Sequence, residues 1–325
     1  EVLSSATELY ENGDVLAGLR KFDLERMNIE AGWAWAKKNF AGNDAAASLC
    51  CGYLNWPYLL DLRMHPKERI LWLETALSAS RQLKDKSREC GHLHNIGIAY
   101  DNLGEYHKAI EYQKKSLAIA RQIGDKKSEG RALGNLGLAY DNLGKYREAI
   151  RYQEKSLAIA REIGDRKSEG KALGDLGLAY DSLGDYHNAI EFQEKSLAIA
   201  REIGDKKSEG YALGNLGIAY DRQGDYRKAI EYHEQRLVIA GEIRDRGSEG
   251  YAIGSLGLAY YNLGEYTKAI EHQEKHLAIA REIGDRKGEG YALGNLGSVY
   301  IRLCDYKKAI EYHEQRLVIA REIGH

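Results

Sequence analysis

A phrase of 40 residues occurs six times, without one insertion, between residues 86 and 325. The repetition is clearest in rows of identical residues spaced by 40, such as Gly97, Gly137, Gly177, Gly217, Gly257 and Gly297, or Tyr100, Tyr140, Tyr180, Tyr220, Tyr260 and Tyr300. A unit that recurs at fixed spacing cannot bury its apolar face alone, so it must stack on its neighbours. The sequence therefore predicts a solenoid.

Each phrase has the pattern of two helices. In the second copy the first predicted helix begins after Asp125, an N-cap residue type, and ends at Gly144. The second extends from about Tyr146 to Gly164, with apolar residues at helical spacing. A loop of a few residues makes such a pair antiparallel. No segment alternates as a strand does, so we predict an all-α fold.

Three glycines lie inside the first predicted helix of the second copy, where each costs about 0.8–1 kcal/mol relative to alanine. We interpret Gly137 and its equivalents as positions of close helix packing. Gly130 and Gly134 have no such role in the pattern. We expect these two to leave an open floor in a groove.

The composition changes near residue 85, because all four Trp, both Met and both Pro precede it. The stretch from Pro66 to Asp85 still aligns with a second helix of the repeat. We therefore predict a helical joining segment over 1–45, a degenerate capping repeat over 46–85 and six repeats over 86–325. Seven apolar residues are expected to form a small core against the cap: Leu16, Leu19, Phe22, Met27, Ile29, Trp33 and Trp35.

The charge argues against nucleic acid and anionic membranes as partners. The chain has 47 basic and 49 acidic residues, a formal charge of −2, and the two signs are interspersed. It has neither a membrane-spanning run nor a signal-peptide pattern, so we expect a cytoplasmic protein. Cys50, Cys51, Cys90 and Cys304 have no metal-binding spacing, which favours reduced thiols.

No pattern in the sequence predicts catalysis. Gly144-Lys145 is followed by Tyr146, so the phosphate-binding loop G-x-x-x-x-G-K-[ST] is not formed. His272 and His276 lie four residues apart without a third ligand, and we interpret them as replacements at partly exposed helix positions. We predict no catalytic residue, no cofactor, no metal and no enzymatic activity.

A run of residues in each copy resembles the tetratricopeptide repeat: Leu133, Leu136, Gly137, Tyr140, Gly144, Tyr146, Ala149 and Tyr152 in the second. The resemblance implies a right-handed α-solenoid in which the first helix of each pair lines a concave groove. The 40-residue length and the linking phrase over 123–130 are similar to the longer repeats of Pins-type polarity adaptors and bacterial regulators.

Two further phrases, over 18–36 and 60–74, resemble the region that joins the nucleotide-binding part to the repeats in bacterial NB-ARC proteins of the STAND class. This resemblance implies the sensor region of a signalling NTPase. Because the chain begins at Glu1 rather than Met, we expect it to be a piece of a longer protein. The alternatives are a stand-alone scaffold adaptor of the Pins or kinesin light chain kind and a bacterial peptide-pheromone receptor.

The candidate site is a partner-binding groove. Its predicted residues vary between copies, or form polar rows, on the side of the first helix that the resemblance places in the groove: Asn95, Asn135, Asn215, Asn295, Arg131, Lys171, Tyr211, Tyr251, Tyr291, Asp141, Asp181 and Arg222. Asparagines can bind the backbone of an extended peptide, and tyrosines add rigid contact area. The alternative is that asparagines cap or solvate the helices and tyrosines cover glycines.

The last helix has no polar closing helix after it. Ile310, Leu317 and Ile319 are expected to be partly uncovered there. We expect either continuation of the array or self-association through this end. The predicted partners are thus a protein or peptide in the groove and a second copy, with neither nucleic acid nor membrane.

Overall fold

The computed structural model describes residues 15–54 and 62–323. The chain divides into two compact units, Glu1–Gly164 (unit 1) and Asp165–His325 (unit 2). All regular structure in the described ranges is helical. The predicted all-α fold is confirmed.

Unit 1 contains seven described helices: α1 (Val15–Asn39), α2 (Asp44–Gly52), α3 (Pro66–Gln82), α4 (Lys86–Asn102), α5 (Tyr106–Ile123), α6 (Lys126–Asn142) and α7 (Tyr146–Glu162). Unit 2 contains eight: α8 (Arg166–Leu183), α9 (Tyr186–Glu202), α10 (Lys206–Gln223), α11 (Tyr226–Glu242), α12 (Arg246–Leu263), α13 (Tyr266–Ile283), α14 (Arg286–Arg302) and α15 (Tyr306–Glu322). From α4 onward every 40-residue phrase is one helix pair. Within each unit the pairs stack as an α-solenoid.

The helix boundaries follow the predicted residue types. The Asp125 side chain accepts a hydrogen bond from the backbone N–H of Ser128 at 3.0 Å and caps α6. Gly144 and Gly164 have φ of +71° and +67°, a left-handed conformation that glycine adopts without strain. The predicted start near Tyr146 is confirmed.

Aromatic stacking joins the two helices of a pair. In unit 1, Tyr140 stacks on Tyr152 with ring centroids 5.2 Å apart. In unit 2, Tyr220 stacks on Tyr232 at 5.4 Å. The conserved position of the ring within the phrase therefore reflects packing inside each pair.

The glycines of the first helices pack against the second helices. A Cβ at Gly137 would lie 2.6 Å from Gln153 Nε2, so the predicted close packing there is confirmed. The expected open floor at Gly130 and Gly134 is wrong. A Cβ at Gly130 would lie 3.1 Å from Ile159, because α7 packs directly on this part of α6.

The core of α1–α3 is built on Trp33, which stacks on Trp72 with centroids 4.3 Å apart. Phe22, Ile29 and Trp33 are buried and Leu19 packs against them, as predicted. Two expected members are exposed instead, Met27 by 83% and Trp35 by 53%. They lie off the helix face shared by residues 22, 29 and 33. The Leu16 side chain lies outside the described residues, and the boundary at residue 45 stays a prediction.

Ion pairs join consecutive pairs of helices. In unit 2, Arg201 Nε lies 2.9 Å from Glu209 Oε1, and Lys206 Nζ lies 3.1 Å from the other oxygen. Glu209 is buried, and burial opposes its ionisation, yet hydrogen bonds from Arg201 and Lys206 lower its pKa overall. The equivalent pair in unit 1 is Arg121 with Glu129 at 2.7 Å.

The last helix, α15, has an uncovered apolar side. Ile310 is 58% and Leu317 is 50% exposed, as expected. The expectation was wrong for Ile319, which is buried because it faces α14 beside Leu293 and Leu296.

Candidate functional site

The varied rows of the first helices lie on one face in each unit. We call this the candidate face and define it in unit 2 by positions 171, 211, 251 and 291 and the positions four, seven and eleven residues after each. Residues at this spacing lie on one side of an α-helix. Lys171 is exposed, and Tyr211, Tyr251 and Tyr291 are 50–61% exposed. In unit 1, Arg131 is exposed at the equivalent position of α6.

Side chains of α11 pack on the glycines near Tyr211. A Cβ at Gly210 would lie 3.5 Å from Ile239, and a Cβ at Gly214 would lie 2.7 Å from Arg236. Tyr211, Tyr251 and Tyr291 are at least half exposed, so their side chains offer contact area on the surface.

The asparagine row lies half-buried in the helix interiors: Asn95 and Asn135 in unit 1, Asn215 and Asn295 in unit 2. None of them caps its helix. In α6, for example, the N-cap is Asp125 and Asn135 lies more than two turns later. Capping is thus excluded as the explanation of this row, while solvation of the helix remains an alternative.

Half-buried aspartates form a second row: Asp101 and Asp141 in unit 1, Asp181 and Asp221 in unit 2. Burial raises the pKa of all four carboxyl groups. Three of them accept a hydrogen bond from the residue 41 positions later: Asp101 from Asn142 at 3.4 Å, Asp221 from Asn262 at 3.0 Å, and Asp181 from Arg222. The row therefore links neighbouring repeats, and Asp181 and Arg222 are partners of each other.

A cavity of about 220 Å³ opens on the candidate face of unit 2. Its lining comes from α8, α9 and α10: Gly177, Leu178, Asp181, Ser182, Ala189, Gln193, Asn215, Ile218, Ala219 and Arg222. Three predicted site residues, Asp181, Asn215 and Arg222, meet in it. The structure does not bring Tyr251 or Tyr291 into this cavity.

Sequence reasoning missed a row of buried polar residues on the second helices: Gln113, Gln153, Gln193, His233 and Gln273, each at most 2% exposed. The glutamines reach across the pair and donate to a first-helix carbonyl, as Gln193 Nε2 does to Gly174 O at 2.9 Å. The signal was present in the sequence as a polar residue repeated every 40 positions, with apolar residues three and four positions before it and four after it on the same helix face.

The two neighbouring histidines of α13 have different surroundings. His272 packs against Tyr260, and its Nδ1 lies 2.9 Å from Lys268 O. His276 is only 6% exposed and lies against Gly254, so its predicted partial exposure is wrong. Among the described residues, no group of three or more His, Cys, Asp or Glu side chains is arranged to hold a metal ion.

Two further properties bear on the site. All four cysteines are free thiols, and only Cys304 is exposed. Over 15–54 and 62–323, each helix is too short or too polar to cross a bilayer.

A model of the Tetratricopeptide repeat family matches residues 72–162, 168–240 and 251–322, well over half of the chain. The chain therefore belongs to the tetratricopeptide repeat family, and its fold is the α-solenoid of that family. Arrays of such repeats present extended surfaces that bind proteins or peptides.

Known proteins resemble the chain in sequence or in fold. Tetratricopeptide repeat protein 29 of Trypanosoma brucei brucei is 41% identical over 51 residues, which are 16% of this chain and only 11% of that protein. A Signal Transduction ATPase with Numerous Domains (STAND) protein with a tetratricopeptide repeat sensor, from Pyrococcus horikoshii, has a TM-score of 0.66 and 21% identity over 98% of this chain and 52% of its own.

A Rap protein complexed with Competence and Sporulation Factor also has a similar structure. Its TM-score is 0.64 at 14% identity, over 99% of this chain and 97% of that chain. At these identities the likeness to both solved structures shows the fold alone.

Proposed function

We propose that the chain is the protein- or peptide-binding sensor region of a STAND-class signalling NTPase and that the candidate face holds the ligand. The observation on which this rests is the cavity of unit 2, where Asp181, Asn215 and Arg222 from two neighbouring repeats line one space. Exposed Tyr211 lies one helical turn before Asn215 on the same face of α10.

The chemistry of the face suits an extended peptide. An asparagine side chain both donates and accepts, so it can pair with a peptide N–H or C=O whatever the peptide's sequence. Exposed tyrosines supply rigid area that loses little conformational entropy on binding. In the family fold this face is concave, which would surround such a ligand.

Within unit 2 the varied row also gives the ligand a direction. Lys171 and Arg131 are the basic members of the varied row, and Tyr211, Tyr251 and Tyr291 are its aromatic members. We assign acidic ligand groups to the basic positions and apolar groups to the tyrosines. The cationic contacts weaken as salt rises, whereas the aromatic contacts do not.

The STAND assignment draws on two observations. The phrases over 18–36 and 60–74 resemble the joining region of that class, and the Pyrococcus horikoshii protein aligns with 98% of this chain over 52% of its own length. Ligand binding would bias an upstream ATPase switch through contacts that differ between its resting and active states. The alternative is a stand-alone adaptor, which needs no such switch.

Peptides selected from a displayed random library against the whole chain test the binding surface. Tyr251→Ala is expected to weaken the selected peptides by roughly tenfold or more, because a buried aromatic contact is lost. Lys171→Ala should weaken acidic peptides less and mainly at low salt. Tyr306→Ala is the control, since Tyr306 is 61% exposed but lies outside the candidate face. Unchanged affinity in both site variants would refute the surface.

The size of the endogenous protein tests the STAND assignment. An immunoblot against the repeats and mass spectrometry of peptides upstream of Glu1 are needed. A band far above 36.5 kDa with an upstream phosphate-binding loop supports the NTPase. A band near 36.5 kDa favours the adaptor.

A further inference from the structure

Gln193 has a buried acceptor without a partner in the cavity of unit 2. The residue is 2% exposed, and its Nε2 donates to Gly174 O at 2.9 Å. Its Oε1 is buried and has no hydrogen-bond partner within the protein. A buried acceptor that stays unpaired destabilises the fold.

Asp181 contributes a second such acceptor to the same cavity. Its Oδ2 is the oxygen that accepts from Arg222, whereas its Oδ1 is buried and has no partner within the protein. The Asp181 side chain is 13% exposed. Two buried oxygens, one from a carboxamide and one from a carboxylate, therefore belong to residues that line one cavity of about 220 Å³.

Two other repeats each satisfy one of the equivalent atoms internally. In unit 1, Gln113 Oε1 lies 3.1 Å from Nδ1 of His94, whereas the residue equivalent to His94 in the α8–α9 pair is Gly174, which has no side chain. In the next repeat of unit 2, both carboxylate oxygens of Asp221 accept from the amide of Asn262. Asp141 Oδ1 and Gln273 Oε1, like the acceptors of Asp181 and Gln193, have no hydrogen-bond partner within the protein. Gln193 and Asp181 both line the cavity of unit 2, through which a ligand can supply the missing donors.

We propose that this cavity binds a primary carboxamide, the side chain of a glutamine or asparagine in the partner peptide. The NH₂ group offers two donors, the number needed by Gln193 Oε1 and Asp181 Oδ1. The carbonyl of the ligand would accept from Arg222 or Asn215, which line the same space. This inference deepens the proposed function and rests on it.

The charges of the lining favour a neutral group. Asp181 and Arg222 are the charged residues of the lining, and they pair with each other. A cationic side chain would compete with Arg222 for Asp181 and bring an uncompensated charge out of water. A carboxamide adds no charge, and its methylene groups would contact Leu178 and Ile218, which are 39% and 38% exposed.

The probes are three blocked amino acids: N-acetyl-glutamine, N-acetyl-norleucine and N-acetyl-lysine, each as the N-methylamide. They are titrated into the whole chain while the side-chain NH₂ signals of Gln193 and Asn215 are followed by NMR. The glutamine probe is expected to shift both signals saturably in the millimolar range and at least tenfold more tightly than the other two. Equal or tighter binding of norleucine or lysine would overturn the carboxamide assignment, as would the absence of any saturable shift, which would leave only water there.

Ser182→Phe should weaken the glutamine probe at least tenfold, because a large side chain at the exposed rim fills the cavity without disturbing the buried hydrogen bonds. Asn102→Phe is the matched control, because Asn102 is exposed at the same repeat position in unit 1. Equal loss in both variants would overturn the site.

If the probe fails while library peptides still bind in a Tyr251-dependent way, the carboxamide pocket is wrong and the proposed function stands. If both the probe and the library peptides fail to bind, both proposals are wrong.

Discussion

Two neighbouring repeats of unit 2 fill the same interior space with different chemistry. In the α8–α9 pair, Gln193 and Ser196 bond to first-helix carbonyls at 2.9 Å. In the α10–α11 pair, the same positions are His233 and Arg236. The helices keep the same lengths. The fold thus requires a polar side chain to cross between the helices, while the choice of that side chain decides whether this interior position titrates with pH.

The interior side chains of the two pairs differ in whether they titrate. The Gln193 amide and the Ser196 hydroxyl are neutral at every ordinary pH. Burial lowers the pKa of His233 to about 4 and also lowers the pKa of Arg236. The interior positions 193 and 196 therefore contain no group that acid protonates, whereas position 233 of the next repeat contains a histidine whose protonation destabilises the fold.

The largest expected effect comes from replacing the glycine that packs against each interior side chain with alanine, which adds one methyl group. A Cβ at Gly217 would lie 2.4–2.7 Å from three ring atoms of His233, and a Cβ at Gly177 would lie 2.6 Å from Gln193 Nε2. Both alanine variants should lose about 2–4 kcal/mol in urea unfolding, Gly217→Ala more because the imidazole is rigid.

Gly241→Ala is the control for this pair of variants. Gly241 lies in α11 with no atom near its Cβ position, so alanine there should gain roughly 0.5–1 kcal/mol. A loss below about 0.5 kcal/mol in Gly217→Ala would show that the ring is not held against the glycine.

The second largest expected effect is the loss of stability in acid. The unfolded His233 binds a proton near pH 6.5, whereas the folded residue does so only near pH 4, so protonation favours the unfolded chain in this window. The free energy of unfolding should be maximal above pH 6.5 and lose up to about 3 kcal/mol, through this group alone, by pH 4.

His233→Gln should remove that part of the pH dependence, since Gln occupies the equivalent positions 193 and 273. The urea unfolding midpoints of both chains at pH 7.5 and 4.5 measure this loss of stability. Exposed His187→Gln is the control and should leave the difference unchanged. Identical pH profiles in His233→Gln and the parent chain would contradict the assignment.

A third difference lies at the ends of the two second helices. Arg201 pairs with buried Glu209, whereas the position equivalent to Arg201 in the next repeat is Gly241 and the Glu249 side chain is 29% exposed. Arg201→Gly should cost about 1–2 kcal/mol and Gly241→Arg should gain about 1 kcal/mol.

The thermal unfolding midpoints of Arg201→Gly and Gly241→Arg at low and high salt measure these effects. The ionic part should shrink with salt, while the helix-propensity part should not. Equal effects of Gly241→Arg and Gly241→Ala at low salt would show that the ion pair contributes nothing.

The smallest effect concerns the turn after each second helix. Gly204 has φ of +69°, and its equivalent, Arg244, has φ of +54°. Arg244→Gly should stabilise by up to about 1 kcal/mol, and Gly204→Ala should destabilise by a similar amount. Circular dichroism melts of the two variants would show opposite shifts, and shifts of the same sign would refute the strain at Arg244.

The periodic residues predicted the helices and their boundaries, because caps such as Asp125 and left-handed glycines such as Gly144 act locally. The contacts at Gly130 could not be predicted from local residue types. Its contact with Ile159 depends on how α7 approaches α6, which is a tertiary property. For the same reason the exposure of Trp35 was missed, since its helix face is decided by packing and not by composition.

The candidate site was predicted in outline. The rows indicated which positions of the first helices vary, and Asp181, Asn215 and Arg222 do line one cavity. The sequence did not show that Arg222 pairs with Asp181 across repeats or that Gln193 contributes from the second helix. Arg222 and Asp181 are 41 residues apart, and Gln193 bonds to a carbonyl 19 residues earlier, so both contacts depend on the register between helices, which no local pattern reports.

The insertion-free register of 40 residues has a genetic consequence. Removing residues 206–245 would join Asp205 to Arg246 and place Arg201 eight residues before Glu249, the spacing at which Arg201 now pairs with Glu209. A whole phrase can therefore be excised or duplicated with every cap, turn and ion-pair position retained. Residues 228–240 and 308–320 have the same sequence, so recombination between such copies would change the length of the array by whole repeats while retaining the contacts at each junction.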